Sequence, residues 1–269
     1  MGYRTLFDMK FSLILLLCLF VCCLWACQPS EQEHAAQPEK IPGSAELQPD
    51  SLGNKEPEIE EAMKTNFDTL ARDLREQGLV RLKDIDSSFI VDLRYSTTHN
   101  FTGMDVYGPF EEALLQPEPA AMLAQANRYL KEKHPEYTLY IYDAVRPRSV
   151  QQILWDTLDL PDEQKPGYVA NPQEGSIHNF GAAVDLTIAG ADGQPLDMGT
   201  DFDYFGELAY PSKEEEMLQA GKLTEEQVAN RRLLREVMTQ AGFTTIRTEW
   251  WHFNAMTRDE AASRYGIVE

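Results

Sequence analysis

The stretch GSIHNFGAAVDLTI, residues 175–188, places a carboxylate inside an otherwise apolar run. Residues 182–188 alternate as a half-buried strand would, so Ala183, Asp185 and Thr187 face one side and Val184, Leu186 and Ile188 the other. Asp185 then points at something polar beside a core. An unpaired carboxylate is costly to bury, and such groups end up beside a cation or on a metal. The rest of the chain has to supply that cation.

Besides His34, the histidines are His99, His134, His178 and His252. His178 lies seven residues before Asp185, and His252 lies three residues after Glu249 in TEWWHF. Two histidines and one carboxylate make an open three-ligand site for Zn²⁺, with the fourth position left to water or substrate. Glu249 remains as the general base. Taken singly, His178 reads more readily as a satisfied polar residue than as a ligand, and Trp250 and Trp251 as core rather than site. Together the motifs say more, because the glycine and alanines around His178 permit close backbone approach, and both motifs fall at strand ends or loops, where sites are built. His99, in a polar loop, and His134, before Pro135, read as surface residues.

Elsewhere the spacing predicts a helix carrying Ile59, Met63, Phe67, Leu70 and Leu74 and ending at Gly78. Strands are expected at FIVDLRY (89–95), at YTLYIYDAV (137–145) and over FTTIRTEWWHF (243–253), and helices from about Pro119 to Lys131 and from Arg148 to Leu158. Thr224 with Gln227 is a capping box that opens a helix through Gln240, which Gly242 ends. Strands scattered among helices without a repeating βαβ period predict an α+β domain, with a mostly antiparallel central sheet flanked by helices and the zinc site at the sheet.

Residues 11–26, FSLILLLCLFVCCLWA, follow Lys10 and are too short for a spanning helix but suit a secretory signal. Met9, directly before Lys10, is a second candidate start beside Met1. All four cysteines (Cys18, Cys22, Cys23 and Cys27) lie in residues 1–27, so the domain beyond them has no thiol for a disulfide or a metal. Residues 28–61 lack aromatics and hold nine acids against two bases, the composition of a flexible acidic tether. The domain expected over 62–269 carries −14 of the net −20 charge, which argues against binding nucleic acid by charge. Ordinary solubility accounts for that acidity.

SIHNFGAAVD and EWWH resemble the SxHxxGxAxD and ExxH motifs of zinc D,D-peptidases, and of the vancomycin-resistance type of D-alanyl-D-alanine dipeptidase in particular. DAVRPRS (143–149) is similar to that family's arginine motif, MGTDFD (198–203) to its acidic loop and YSTTHNFTG (95–103) to its N-terminal segment. The resemblance runs from about residue 80 to the C-terminus, with the motifs in the same order. It implies that His178, Asp185 and His252 bind one Zn²⁺ and that Glu249 is general base and acid. It further implies that Arg146 stabilises the oxyanion, that Asp203 holds the substrate's free ammonium and that Ser176 lines the same pocket. The substrate it implies is a D-amino-acid dipeptide.

Leu24-Trp-Ala-Cys27 resembles a bacterial lipoprotein signal with Cys27 as the lipidated residue, which implies an enzyme anchored in the cell envelope, on the periplasmic face of a membrane. The resistance enzymes are expected in the cytoplasm, so an anchored form suits trimming or salvage of wall-derived dipeptides better than resistance. Two other readings stay open: a zinc D,D-carboxypeptidase or endopeptidase acting on peptidoglycan stem peptides, and a non-catalytic wall-binding lipoprotein. The oligomeric state is not legible.

Overall fold

The computed structural model describes residues 69–269. The expected signal (1–27), the tether (28–61) and the helix positions Ile59, Met63 and Phe67 lie outside the described residues. Residues 69–76 are helical and turn at Gly78, whose φ of +99° suits glycine.

Five strands form the central sheet in the order β2-β4-β5-β7-β6: β2 (Ile90–Val91), β4 (Thr138–Asp143), β5 (Ala183–Ala189), β6 (Thr244–Thr245) and β7 (His252–Asn254). The β2–β4 pair is parallel and the other three are antiparallel, so the sheet is mixed, with one parallel edge. A separate antiparallel pair joins β1 (Val80–Arg81) to β3 (Leu114–Leu115). Among the main helices, α1 (Pro117–Lys133) packs on α3 (Glu225–Gln240), with α1 also against β4 and α3 against β5. The others used below are α2 (Arg148–Thr157) and α4 (Arg258–Arg264). The chain is α+β, as expected.

Several boundaries differ from the sequence reading, each for a physical reason. Helix α1 begins at Pro117, two residues early, because the first-turn N–H groups of a helix have no intrahelical acceptor and both prolines fit there. Strand β2 is only two residues long, because the chain turns into the 3-10 helix Arg94–Ser96; its last rung is the bond from Asp92 N to Ile141 O, 3.0 Å. The expected strand over 243–253 is instead two short strands paired with each other, and residues 246–251 form the loop between them. Helix α3 is capped as its sequence predicts: Thr224 accepts from Gln227 N–H and Gln227 accepts from Thr224 N–H. His134 is half-buried and stacks on Tyr137 at 4.7 Å, so it is not a free surface residue; His99 is exposed.

The strand that opened the reading is buried on both faces rather than half-buried. All seven residues of β5 are buried, because it lies mid-sheet with neighbours on both edges and cover on both sides. Thr187 is 0 % exposed and its Oγ1 has no hydrogen-bond partner among the described residues. Thr187→Val keeps the branched shape and removes that unpaired hydroxyl, so it is expected to stabilise the fold by ~1 kcal/mol in urea titration; a lower midpoint would contradict this.

Candidate active site

Three backbone devices bring the predicted ligands together. Antiparallel pairing of β5 with β7 sets Asp185 directly opposite His252. His178 comes from the 3-10 helix Ile177–Phe180, which Ser176 caps by accepting His178 N–H at 3.3 Å while Asn179 accepts Ser176 N–H at 2.6 Å. Gly181, with φ +67°, ends that helix and feeds the chain into β5; a Cβ there would come within 3.3 Å of Leu79 Cδ2. Ser176 therefore both lines the pocket and fixes the turn that carries His178.

The donor atoms lie at the corners of a small triangle. His178 Nε2 is 3.2 Å from His252 Nδ1 and 3.3 Å from Asp185 Oδ1, and His252 Nδ1 is 2.9 Å from the same Oδ1. Ligand bonds of ~2.0–2.1 Å around a tetrahedral ion would separate the ligand atoms by about 3.3 Å. Each ring's other nitrogen is already engaged. His178 Nδ1 donates to the Ala144 carbonyl at 2.6 Å, since a carbonyl can only accept, and His252 Nε2 donates to Asn254 Oδ1 at 2.9 Å. In those tautomers two imidazole lone pairs and a carboxylate converge on one point. That arrangement repels itself unless a cation lies between them, and fixing the ring through its outer N–H is how metal-ligating histidines are oriented.

Around this triangle lies a cavity of about 320 Å³ lined by Tyr95, Arg146, Ser176, Asp203, Glu249 and the triad itself, among others. Glu249 reaches it from the 246–251 loop, its Oε2 3.9 Å from His252 Nδ1. In a continuous strand Glu249 and His252, three residues apart, would face opposite sides of the sheet. Here strand pairing starts only at His252, after bends at Trp250 and Trp251, and both side chains reach the cavity. Burial, reinforced by the Asp185 charge, pushes the Glu249 carboxyl up to about 7. Burial also disfavours the Asp185 charge, but the protonated forms of His178 and His252 outweigh it and hold that carboxyl well below its ordinary range; burial works against the His252 imidazolium too, yet its bond to Asp185 raises that ring above its ordinary value, so without a metal a proton takes the cation's place.

Arg146 is buried and tightly held. Its Nε and Nη2 donate to Asp143 Oδ2 at 2.9 and 2.7 Å, its Nη1 donates to Gln151 Oε1 at 3.0 Å, and Nη2 lies 3.4 Å from Asp185 Oδ2. The guanidinium sits 5.0 Å from the Tyr95 ring centroid. Asp143 is anchored in turn by Tyr107 Oη at 2.6 Å. A β-bulge between Ile141 and Asp143 sets Asp143 opposite Asp185, and Arg146 bridges the two carboxylates.

Asp203 is the one non-glycine residue with positive φ among the described residues, at +60°, a conformation that costs roughly 1–2 kcal/mol. Its Oδ1 accepts from Tyr95 Oη at 3.2 Å, whereas its Oδ2 is shut off from solvent without a partner among the described residues. Burial, with Asp185 and Glu249 adding repulsion, pushes this carboxyl well above its ordinary range. Phe202, packed against Tyr95, Tyr142 and Trp251, fixes the chain on the preceding side.

Residues 75–265 match the peptidase family described as D-Ala-D-Ala dipeptidase. The chain belongs to this family. It is 34% identical over 175 residues to the D-alanyl-D-alanine dipeptidase of Escherichia coli K12, covering 65% of this chain and 83% of the relative. It is 28% identical over 195 residues to the protein of that name from Enterococcus faecalis V583, covering 66% and 91%, and 28% identical over 203 residues to that of Enterococcus faecium, covering 69% and 94%. The triad, Arg146, Ser176, Asp203 and Glu249 all fall within the span the family covers.

Four contributors escaped the sequence reading: Asp143, Tyr95, Asn254 and the Ala144 carbonyl. Asn254 had a signal, since it stands two residues after His252 and shares its face of β7. Asp143 stood unassigned in the arginine motif. A backbone carbonyl leaves no trace in side-chain chemistry. Asn254→Leu removes the acceptor that orients His252, and is expected to weaken divalent-metal affinity by about 10–100-fold while the fold persists. Competition against a metal-binding dye measures this, and unchanged affinity would rule out the orienting role.

Proposed function

We propose that the chain is a zinc-dependent D,D-dipeptidase that hydrolyses D-Ala-D-Ala, with His178, Asp185 and His252 holding one Zn²⁺. Family membership supports the reaction. The observation that carries the reading further is the set of carboxylates around the cavity. Three of them, Asp185, Asp203 and Glu249, line it together with Arg146 and with Arg258, which pairs with Glu174; Asp143, outside that lining, is bonded to Arg146. Asp143 and Arg146 offset each other, so a divalent ion at the triad would meet Asp185, and a substrate ammonium would bring the raised Asp203 carboxyl to its charged form. Buried charges are tolerated when paired, so each ligand has a carboxylate to meet at its own end of the pocket.

When bound, zinc polarises the scissile carbonyl and acidifies a water. Glu249, half-buried beside the triad, would take a water's proton and later deliver it to the leaving amine. Burial raises its carboxyl in the absence of a metal, and a cation at the triad would oppose that rise. Arg146 faces the carbonyl oxygen as negative charge develops there. Asp143 and Gln151 hold the guanidinium in place beforehand, so little reorganisation accompanies the reaction. Asp203, with its Oδ2 unpaired, takes the free ammonium of the dipeptide, and Ser176 lines the same pocket.

The acidic loop favours the dipeptidase over a carboxypeptidase or endopeptidase acting on stem peptides, because an ammonium partner at Asp203 shuts out a longer N-terminal chain. Glu249 favours catalysis over a pure wall-binding role, which needs no base. For location we propose lipidation at Cys27 and an anchor in the cell envelope joined through the acidic 28–61 segment, which suits salvage of wall-derived dipeptides. Fatty-acid labelling of the full chain that persists in Cys27→Ser would end that part of the reading.

Glu249→Gln keeps the size of the side chain but cannot accept the water's proton. It is expected to retain one zinc per chain while kcat falls by at least ~10²-fold; most of the activity surviving would require another base. D-Ala-D-Ala is expected to be cleaved and its N-acetyl form refused, and Asp203→Ala to impair dipeptide cleavage without loss of zinc. Loss of one partner from a buried ion pair costs ~3–5 kcal/mol, which sets the scale of both effects. Equal rates on free and N-acetylated dipeptide would transfer the assignment to the carboxypeptidase.

A further inference from the structure

Arg231 lies on α3, outside the cavity, and is 1 % exposed. Its Nε donates to the Met198 carbonyl at 2.6 Å and its Nη1 to the Leu208 carbonyl at 2.9 Å. Those carbonyls stand at the two ends of the loop that carries Asp203, so one planar guanidinium fastens both ends of the loop. The same guanidinium lies 5.8 Å from the Trp250 ring centroid, and Trp250 Nε1 donates to Thr200 Oγ1 at 2.7 Å, inside that loop. Trp250 directly follows Glu249. One side chain therefore braces the segment holding the strained Asp203 and touches the segment holding Glu249.

The arrangement is a poor way to stabilise a fold. Nη2 of Arg231 has no partner among the described residues. The adjacent acid, Glu214, is hydrogen-bonded to Arg235 at 2.7 and 3.1 Å, and burial pulls the Arg231 guanidinium down to about 10. A buried cation without a bonded carboxylate carries a desolvation cost that its two bonds to carbonyls offset only in part. What an apolar side chain cannot do is bond two carbonyls at a fixed separation. Asp203 needs such a constraint, since a left-handed backbone at a non-glycine residue persists only where its surroundings impose it.

We propose that Arg231 is a positioning residue for substrate binding, closing the neck of the 198–208 loop so that Asp203 is held where the dipeptide's ammonium arrives. The inference rests on the reading of Asp203 as that ammonium's partner.

The test is a double-mutant cycle on the zinc-loaded protein with Arg231→Met, Asp203→Ala and the pair, reading KM and kcat on D-Ala-D-Ala, the rate on N-acetyl-D-Ala-D-Ala, zinc content and Tm. Arg231→Met is expected to fold and keep its zinc, with a Tm lowered by the two carbonyls it leaves unpaired, while KM for the free dipeptide rises at least ~10-fold and the preference over the N-acetyl form falls by a similar factor. In the Asp203→Ala background the same change is expected to add almost nothing, because both act through one interaction. Fully additive effects, or an Arg231→Met enzyme with unchanged KM and preference, overturn the inference. An Asp203→Ala enzyme with unchanged KM would instead sink the ammonium reading itself. If Arg231→Met fails to fold, Arg231→Lys takes its place, since lysine keeps the charge but lacks the planar fork that spans the two carbonyls. Full preference in Arg231→Lys, or failure of both variants to fold, assigns Arg231 to stability alone and overturns the proposal.

Discussion

The negative charge of Asp185 at the middle of the sheet is the constraint on which the rest depends. Asp185 is 3 % exposed on a strand paired along both edges, so it can neither reach bulk water nor be moved without breaking the sheet. What surrounds it is organised to make that charge tolerable. The β4 bulge sets Asp143 opposite, Arg146 lies between the two carboxylates, and the 3-10 turn and β7 deliver one imidazole each. Each imidazole arrives with its outer N–H already committed, so its inner nitrogen is the one left to meet a cation, whether a proton or a metal. The fold thus assembles a donor set whose favourable completion is a cation.

Two kinds of support divide the site. Of the proposed metal donors, Asp185 and His252 stand on strands in register and His178 on a doubly capped turn, elements that hold side chains to within a fraction of an ångström. The groups proposed to meet the substrate, Asp203 and Glu249, stand on loops, where they can be strained and desolvated without disturbing the sheet. That freedom has to be limited from outside. Phe202 between aromatic rings and Arg231 across the loop's two ends provide the limit at Asp203, and the bond from Trp250 to Thr200 ties one loop to the other.

Much of this was legible in the sequence, for physical reasons that also explain the rest. The strand at AAVDLTI and the capping box at Thr224 are local signals, and the structure contains both. The grouping of the triad was legible because a buried aspartate needs partners and few histidines were on offer. Burial of β5 on both faces was not legible, since Ala183 and Thr187 are small enough to look exposed in a pattern and yet pack inside. Nor was the break at residues 246–251, because β-branched and aromatic residues read as strand whether or not an adjacent strand is present to pair with. Arg231 stayed hidden because its bonds reach residues distant along the chain, and Asp143, though three residues from Arg146, because its register with Asp185 depends on a bulge.

The central claim, that the triangle of His178, Asp185 and His252 is a zinc site, is tested most directly by X-ray absorption at the zinc edge on stoichiometrically loaded protein. The account predicts one zinc per chain in a four- or five-coordinate shell of two imidazole nitrogens and light oxygen donors at ~2.0–2.2 Å, with the imidazole scattering reduced by half in His252→Ala. A shell of oxygen donors without imidazole, or imidazole scattering unchanged in His252→Ala, would contradict it.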